Sequence, residues 1–200
     1  VKESAQSGIG GAPAGEHPGP VVTAKVDVGR HLVALVFERQ RTDLGVVVER
    51  ANGQVTLVDT SKRAAYASVA GLGDLSHASL VFSRDGRYAY VFGRDGGLTK
   101  VDLLEQRIVK RVLQSGNAIG GAISQDGRIV VAQNYSPGGI KAFDAETLEL
   151  LSEVPAEYSP GSFSKVVGLA DLAGQRFAYA LFDGGEIWVS DFSDPRHPRT

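Results

Sequence analysis

The chain has 200 residues, 42% hydrophobic and 22% charged, with a formal net charge of −2. That supplies enough apolar material for a sizeable core, but no global field that would recruit nucleic acid or a membrane surface. With no cysteine, disulfides, thiolate metal sites and cysteine nucleophiles are excluded, and no apolar run approaches the ~18 residues of a membrane-spanning helix.

Residues 1–20 are rich in Gly, Ala, Ser and Pro. They read as a disordered leader or linker in which His17 is solvated. Val1 is not a native start, so a processed or truncated N-terminus is expected. Residues 21–28 and 31–37 are β-prone runs around Gly29-Arg30, and 45–49, 54–59 and 64–69 continue the series, with a turn at Arg50-Ala51-Asn52-Gly53. The clearest stretch is 74–102. It holds an apolar run at Leu80-Val81-Phe82, a turn at Ser83-Arg84-Asp85-Gly86 and a β-rich run over 87–92. A second turn follows at Arg94-Asp95-Gly96-Gly97, then an alternating run over 98–101. Aspartate and glycine supply the positive-φ positions of sharp hairpins.

The pattern then recurs. VTLVD ends at Asp59, LTKVD at Asp102, IKAFD at Asp144 and IWVSD at Asp191, and a fourth strand follows, as over 107–113 and 148–154. A period of about 40–50 residues carrying four strands is the signature of a β-propeller blade. A stacked solenoid is the rival reading, but its repeats are usually shorter. The fold class is therefore all-β: a propeller of four-stranded antiparallel blades over 21–200, about four of them. The last unit stops after its third strand, so the expectation is half of a larger ring, closed by further sequence or by a second copy. An open half-ring leaves an unpaired sheet edge that invites association.

In a propeller the loops entering the innermost strands cluster on one face with the turns between the second and third strands. The first set offers His31, His77, Asn117 and Lys165. The second offers Arg50, Arg94, Asn134 with Tyr135, and Asp183. Neutral imidazole is a good iron ligand, and the guanidinium fork suits carboxylates. The plain alternative for each is structural: a rim histidine, solvated turn arginines, a tyrosine capping its blade. His31 and Lys165 are candidate catalytic residues on their place in the repeat alone. A phosphate loop over Gly116–121 lacks the helix such a site needs. Asp74, Ser76 and His77 sit too close together on an extended chain to form a hydrolase relay.

The stretches ERANGQVTLVD, GLGDLSHASLVFSRDGRYAYVFGRDGGLTKVDL, GNAIGGAISQDGRIVVAQNY and FDAETLEL resemble the haem d1 domain of cytochrome cd1 nitrite reductases. They are more similar still to the haem d1 biosynthesis branch of that family. The resemblance spans roughly residues 44–192. It implies an eight-bladed propeller with a tetrapyrrole in its channel, His77 as the proximal iron ligand, and Arg50 and Arg94 holding tetrapyrrole carboxylates. Tyr135 would stack or hydrogen-bond at the channel mouth. His77 stands one residue further from its Gly86-Arg87-Tyr88 than the family histidine does. The distal histidines of the reductases fall beyond Thr200. The chain has no CxxCH motif, which argues against a complete nitrite reductase with its c-type haem domain. The implied role is a late step of haem d1 formation, by oxidation or dehydrogenation of side chains, or handover of haem d1 or a precursor. The implied partners are nitrite reductase and other haem d1 maturation proteins, and the implied location is the periplasm, after removal of an export signal or lipoprotein leader. A carrier without turnover and a protein-interaction platform are the alternatives.

Overall fold

The computed structural model describes residues 43–200 and, ahead of them, two strands, β1 (Val22–Val28) and β2 (His31–Phe37). The leader expected over 1–20 lies outside the described residues. Contacts divide the chain into two units at Thr42/Asp43. In the first, β1 and β2 pair antiparallel with Val28 opposite His31.

The second unit is a series of antiparallel sheets. Blade 1 is β3 (Leu44–Glu49), β4 (Gln54–Asp59) and β5 (Ala64–Ala70). Blade 2 is β6 (Ser79–Phe82), β7 (Tyr88–Phe92), β8 (Gly97–Asp102) and β9 (Arg107–Leu113). Blade 3 is β10 (Asn117–Ile123), β11 (Ile129–Ser136), β12 (Ile140–Asp144) and β13 (Leu150–Val154). A short hairpin, β14 (Glu157–Ser159) and β15 (Ser162–Phe163), precedes blade 4: β16 (Val166–Leu172), β17 (Arg176–Leu181) and β18 (Glu186–Asp191). Within each blade the strands lie in sequence order, the meander of a propeller blade.

Two blades depart from the expected four strands. β2 pairs with β1, leaving β3-β4-β5 as a three-stranded sheet. Blade 4 also has three strands, but Asp191 bridges Arg199 as Asp102 faces Arg107 in blade 2. The bridge places Arg199 beside Asp191 on the outer edge of β18.

Alternation explains why the middle strands read as unbroken apolar runs: each is covered on both faces. In β7, Ala89 and Val91 pack with Val55, Leu57 and Val69 of blade 1. Tyr90 and Phe92 point the other way, onto Ile123, Val130, Ala132 and Phe143 of blade 3. In β11, Ile129 and Val131 turn to Val166, Phe177, Tyr179 and Leu181 of blade 4. A fully buried Phe92 contributes roughly 1.5–3 kcal/mol. A polar latch joins blades 2 and 3. The Tyr90 hydroxyl donates to the Ala145 carbonyl at 2.7 Å, and Lys100 Nζ donates to the carbonyls of Ala145 and Glu146 at 3.0 and 2.9 Å. The ammonium lies 4.2 Å from the Tyr88 ring centre. Burial raises the pKa of the Tyr90 phenol and lowers that of the Lys100 ammonium.

The repeated aspartates have one job. In each blade the carboxylate closing β4, β8, β12 or β18 accepts backbone N–H groups of the next turn. Asp59 Oδ1 takes Ser61 and Lys62, Asp102 Oδ1 takes Leu104 and Glu105, Asp144 Oδ1 takes Glu146 and Thr147, and Asp191 Oδ1 takes Ser193. All four turns lie at one end of their sheets; the turns carrying Arg50, Arg94, Tyr135 and Asp183 lie at the other.

Candidate functional site: the rim of inner loops and second turns

Register fixes which loops share an end. Ser79 pairs with Phe92, Asn117 with Ser136 and Val166 with Leu181. The loop entering each inner strand therefore lies beside the turn leaving the second strand. The inner strands themselves converge on a groove of about 570 Å³, lined by Val81 and Phe82 of β6, Gly121 and Ala122 of β10 and Leu169 of β16. At the groove's far end Arg84 donates to the Ile123 and Ser124 carbonyls and to Asp171 Oδ2, at 2.6, 2.9 and 2.9 Å. One guanidinium thus ties blades 2, 3 and 4 opposite the rim.

Along the rim, the second turn of each blade receives the loop entering the next. Leu72 N–H donates to the Gly53 carbonyl at 3.0 Å, and Gln114 N–H to the Gly96 carbonyl at 2.9 Å. Gly139 N–H reaches the Ser164 carbonyl at 3.4 Å. The Arg50 turn, the His77 loop, the Arg94 turn, the Tyr135 turn and the Lys165 loop thereby form one continuous edge.

His77 is exposed in a turn of that edge. Its loop is gripped from two sides. Arg94 N–H donates to the Asp74 carbonyl at 2.7 Å, and Asp74 N–H donates to Asp95 Oδ2 at 3.2 Å. Asp95 in turn is paired with Arg111 at 2.5 Å, and Arg111 Nε also donates to the Leu72 carbonyl at 3.1 Å. Asp74 Oδ1 accepts Ser76 N–H at 2.8 Å, which lowers the pKa of its carboxyl group.

Arg94 and Tyr135 meet: the guanidinium carbon lies 5.5 Å from the ring centre, a cation–π stack between blades 2 and 3. Arg50 is exposed in a 3-10 turn, Arg50–Asn52. Among the described residues neither Arg50 nor Arg94 forms a carboxylate ion pair within 4 Å, whereas Arg84, Arg87, Arg107, Arg111 and Arg128 all do. Asp74 is the nearby carboxylate that feels the Arg94 charge, and no described carboxylate closes on either guanidinium. Lys165 Nζ is held 2.8 Å from Asp183 Oδ1, and its backbone N–H donates to Asp183 Oδ2 at 2.9 Å. These bonds, the side-chain one first, lower the pKa of the Asp183 carboxyl. His31 is the first residue of β2, in the other unit, and its side chain lies outside the described residues.

The donor set fits an iron tetrapyrrole. No group of three or more His, Cys, Asp or Glu residues is placed to hold a bare metal ion among the described residues. A macrocycle brings its own equatorial nitrogens and asks the protein for an axial imidazole and for cations near its acid side chains. His77, Arg94 and Arg50 are the residues of this edge whose chemistry matches those needs. Sequence reasoning missed the Arg111–Asp95 clamp and the buried amide pair in which Gln114 and Asn134 exchange hydrogen bonds at 2.8 and 3.1 Å. Arg111 lies on an outer strand, and nothing in RIVKRVL marks it as a support for the loop ahead of β6.

The fold is that of a propeller of the Cytochrome D1 heme domain family, and the chain belongs to that family, whose profile matches residues 39–200. Among individual relatives, it is 64% identical over 158 residues to Protein NirF of Pseudomonas aeruginosa, covering 78% of this chain and 40% of that protein. It is 59% identical over 159 residues to Protein NirF of Stutzerimonas stutzeri, covering 78% and 41%. The chain thus spans about two fifths of the length of these curated relatives. The solved structure of dihydro-heme d1 dehydrogenase NirN in complex with DHE superposes with a TM-score of 0.73 at 32% identity, over 82% of this chain and 36% of that one. A functionally unknown protein from Desulfotomaculum acetoxidans, at 13% identity and a TM-score of 0.66 over 78% of this chain and 49% of that one, shares the fold.

Proposed function

We propose that this chain is part of a haem d1-binding propeller that takes part in haem d1 biosynthesis for cytochrome cd1 nitrite reductase, binding haem d1 or a late precursor at the His77 rim. The observation that carries this is that one clasped edge holds both an exposed imidazole and a guanidinium with no carboxylate ion pair within 4 Å among the described residues. When bound, the tetrapyrrole would supply the iron and a conjugated ring open to oxidation. His77 would offer an imidazole nitrogen to the iron, Arg94 and Arg50 would offset the acid side chains, and Tyr135 stacks on the Arg94 guanidinium.

Two roles share this pocket. One is oxidation or dehydrogenation of tetrapyrrole side chains, in line with the name of the NirN relative. The other is carriage and handover to nitrite reductase or other maturation proteins. The Lys165–Asp183 ion pair favours carriage, because it commits the lysine's ammonium and the carboxylate to each other rather than to a bound ligand. Mass spectrometry of the released ligand separates the two: carriage returns the same mass, dehydrogenation a loss of hydrogen. We place the protein in the periplasm on the family resemblance; among the described residues no helix is long and apolar enough to cross a membrane.

Arg94→Ala tests the site. Removing one charge-assisted contact to a carboxylate costs about 1.5–3 kcal/mol, so titration of the intact protein with haem d1 should show affinity at least about tenfold weaker. Unchanged affinity would mean that Arg94 does not meet the ligand.

A further inference from the structure

Below the Arg94–Tyr135 stack, one pleat further along β11, lies Gln133. Its residue is only 7% exposed, and its side-chain Oε1 is buried with no hydrogen-bond partner. Asn117, at the mouth of β10, has a buried Oδ1 in the same condition. A buried amide oxygen without a donor costs about 1–3 kcal/mol, and most such groups in folded proteins are satisfied. Two of them, on the paired strands β10 and β11, mark polar groups that an incoming ligand could satisfy.

The backbone makes room beside them. Gly120 pairs with Gln133 across β10 and β11. A side chain at Gly120 would meet Ser79 Oγ at 2.8 Å and the Gln133 amide nitrogen at 3.2 Å. The hydroxyl and the amide therefore converge on one point over a residue with no Cβ. Glycine inside a strand often marks a place where a ligand or another backbone approaches closely. Ser79 stands two residues after His77, and Asn117 lies on the next inner strand.

We propose that Gln133, with Ser79 beside it over Gly120, forms an uncharged polar subsite that takes a protonated carboxylic acid side chain of the tetrapyrrole. This rests on the tetrapyrrole reading above and extends it. A carboxamide presents one acceptor and one donor along the same edge. A neutral acid matches both: its O–H donates to Gln133 Oε1 and its carbonyl accepts from Nε2. An ionised carboxylate would face the amide oxygen with a second acceptor, and it is better served by Arg94 and Arg50. The rim and the strand below it thus discriminate by charge, guanidinium for ionised acids and amide for a neutral one.

The test uses Gln133→Leu in the intact protein, titrated with haem d1 and melted without it. Leucine is of similar size and removes both the donor and the unpaired acceptor. The expected result is affinity about tenfold weaker with the melting temperature unchanged or raised, since an unsatisfied polar group has been removed. Unchanged affinity overturns the subsite. So does an affinity loss that appears only together with a lowered melting temperature in both Gln133→Leu and Gln133→Met, because the amide would then be structural. If the unaltered protein binds no haem d1, the tetrapyrrole reading fails and the subsite falls with it, a result distinct from normal binding that Gln133→Leu leaves untouched.

Discussion

Gly96→Ala is expected to unfold the blade 2–blade 3 junction or to destabilise the protein by roughly 3–5 kcal/mol, enough to consume much of the stability of an ordinary domain. Two costs combine. Gly96 has φ +80°, a conformation that L side chains adopt only with strain of about 1–2 kcal/mol. An added Cβ would also overlap the backbone carbonyl of Ser115, and backbone in the next blade's entry loop cannot rotate out of the way. The Gln114 N–H bond to the Gly96 carbonyl would be lost as the two loops separate. Gly185, at φ +66° with open space around it, is the control. Gly185→Ala carries the backbone strain alone and should cost only about 1–2 kcal/mol. Denaturant titration of both variants measures the difference; equal losses would show that the contact with Ser115 is not limiting.

The second large effect falls at the opposite end of the same blade. Asp102 is 1% exposed. Its Oδ1 accepts the Leu104 and Glu105 N–H groups at 2.9 and 3.0 Å, and its Oδ2 accepts from Arg87 Nε and Nη2 at 3.1 and 2.8 Å. Asp102→Ala removes all four bonds and strands two turn N–H groups. The loss should be about 2–4 kcal/mol, held to that range because the Arg87 side chain is 41% exposed and water can take over part of its solvation. Asp144 caps an exposed turn without a buried ion pair, so Asp144→Ala should cost only about 1 kcal/mol, as loss of a comparable cap does. Thermal denaturation of the two variants checks the order, and a larger loss at Asp144 would contradict this assignment.

These two positions show what the sequence makes legible. The strands ending at Asp59, Asp102, Asp144 and Asp191, and the turns at Gly86 and Gly127, are visible because their chemistry is local. A carboxylate must stand two or three residues before the N–H groups it caps, and a positive φ selects glycine. Period and turn type therefore establish the blades before any contact is known. The rim is legible only in part. His77, Arg50, Arg94 and Tyr135 can be assigned to one end from topology, but the stack of Arg94 on Tyr135 joins different blades and leaves no local trace. The Arg111–Asp95 clamp is hidden for the same reason. Pairing of β2 with β1 rather than with β3 is a choice between two similar β-prone edges, and residues 31–37 carry no residue that decides it. The β14–β15 hairpin is too short for alternation to register; Pro160-Gly161 is its only mark.

The most direct measurement is the absorption spectrum of the intact protein titrated with haem d1, beside that of His77→Ala. His77 is exposed and contributes nothing to the three cores between the blades, so its removal should leave the fold unchanged. The account predicts a saturable spectral change in the unaltered protein and loss of its histidine-ligated iron bands in His77→Ala, with the melting temperature preserved. An identical spectrum from both proteins would place the iron elsewhere and contradict the assignment of this rim as the haem site.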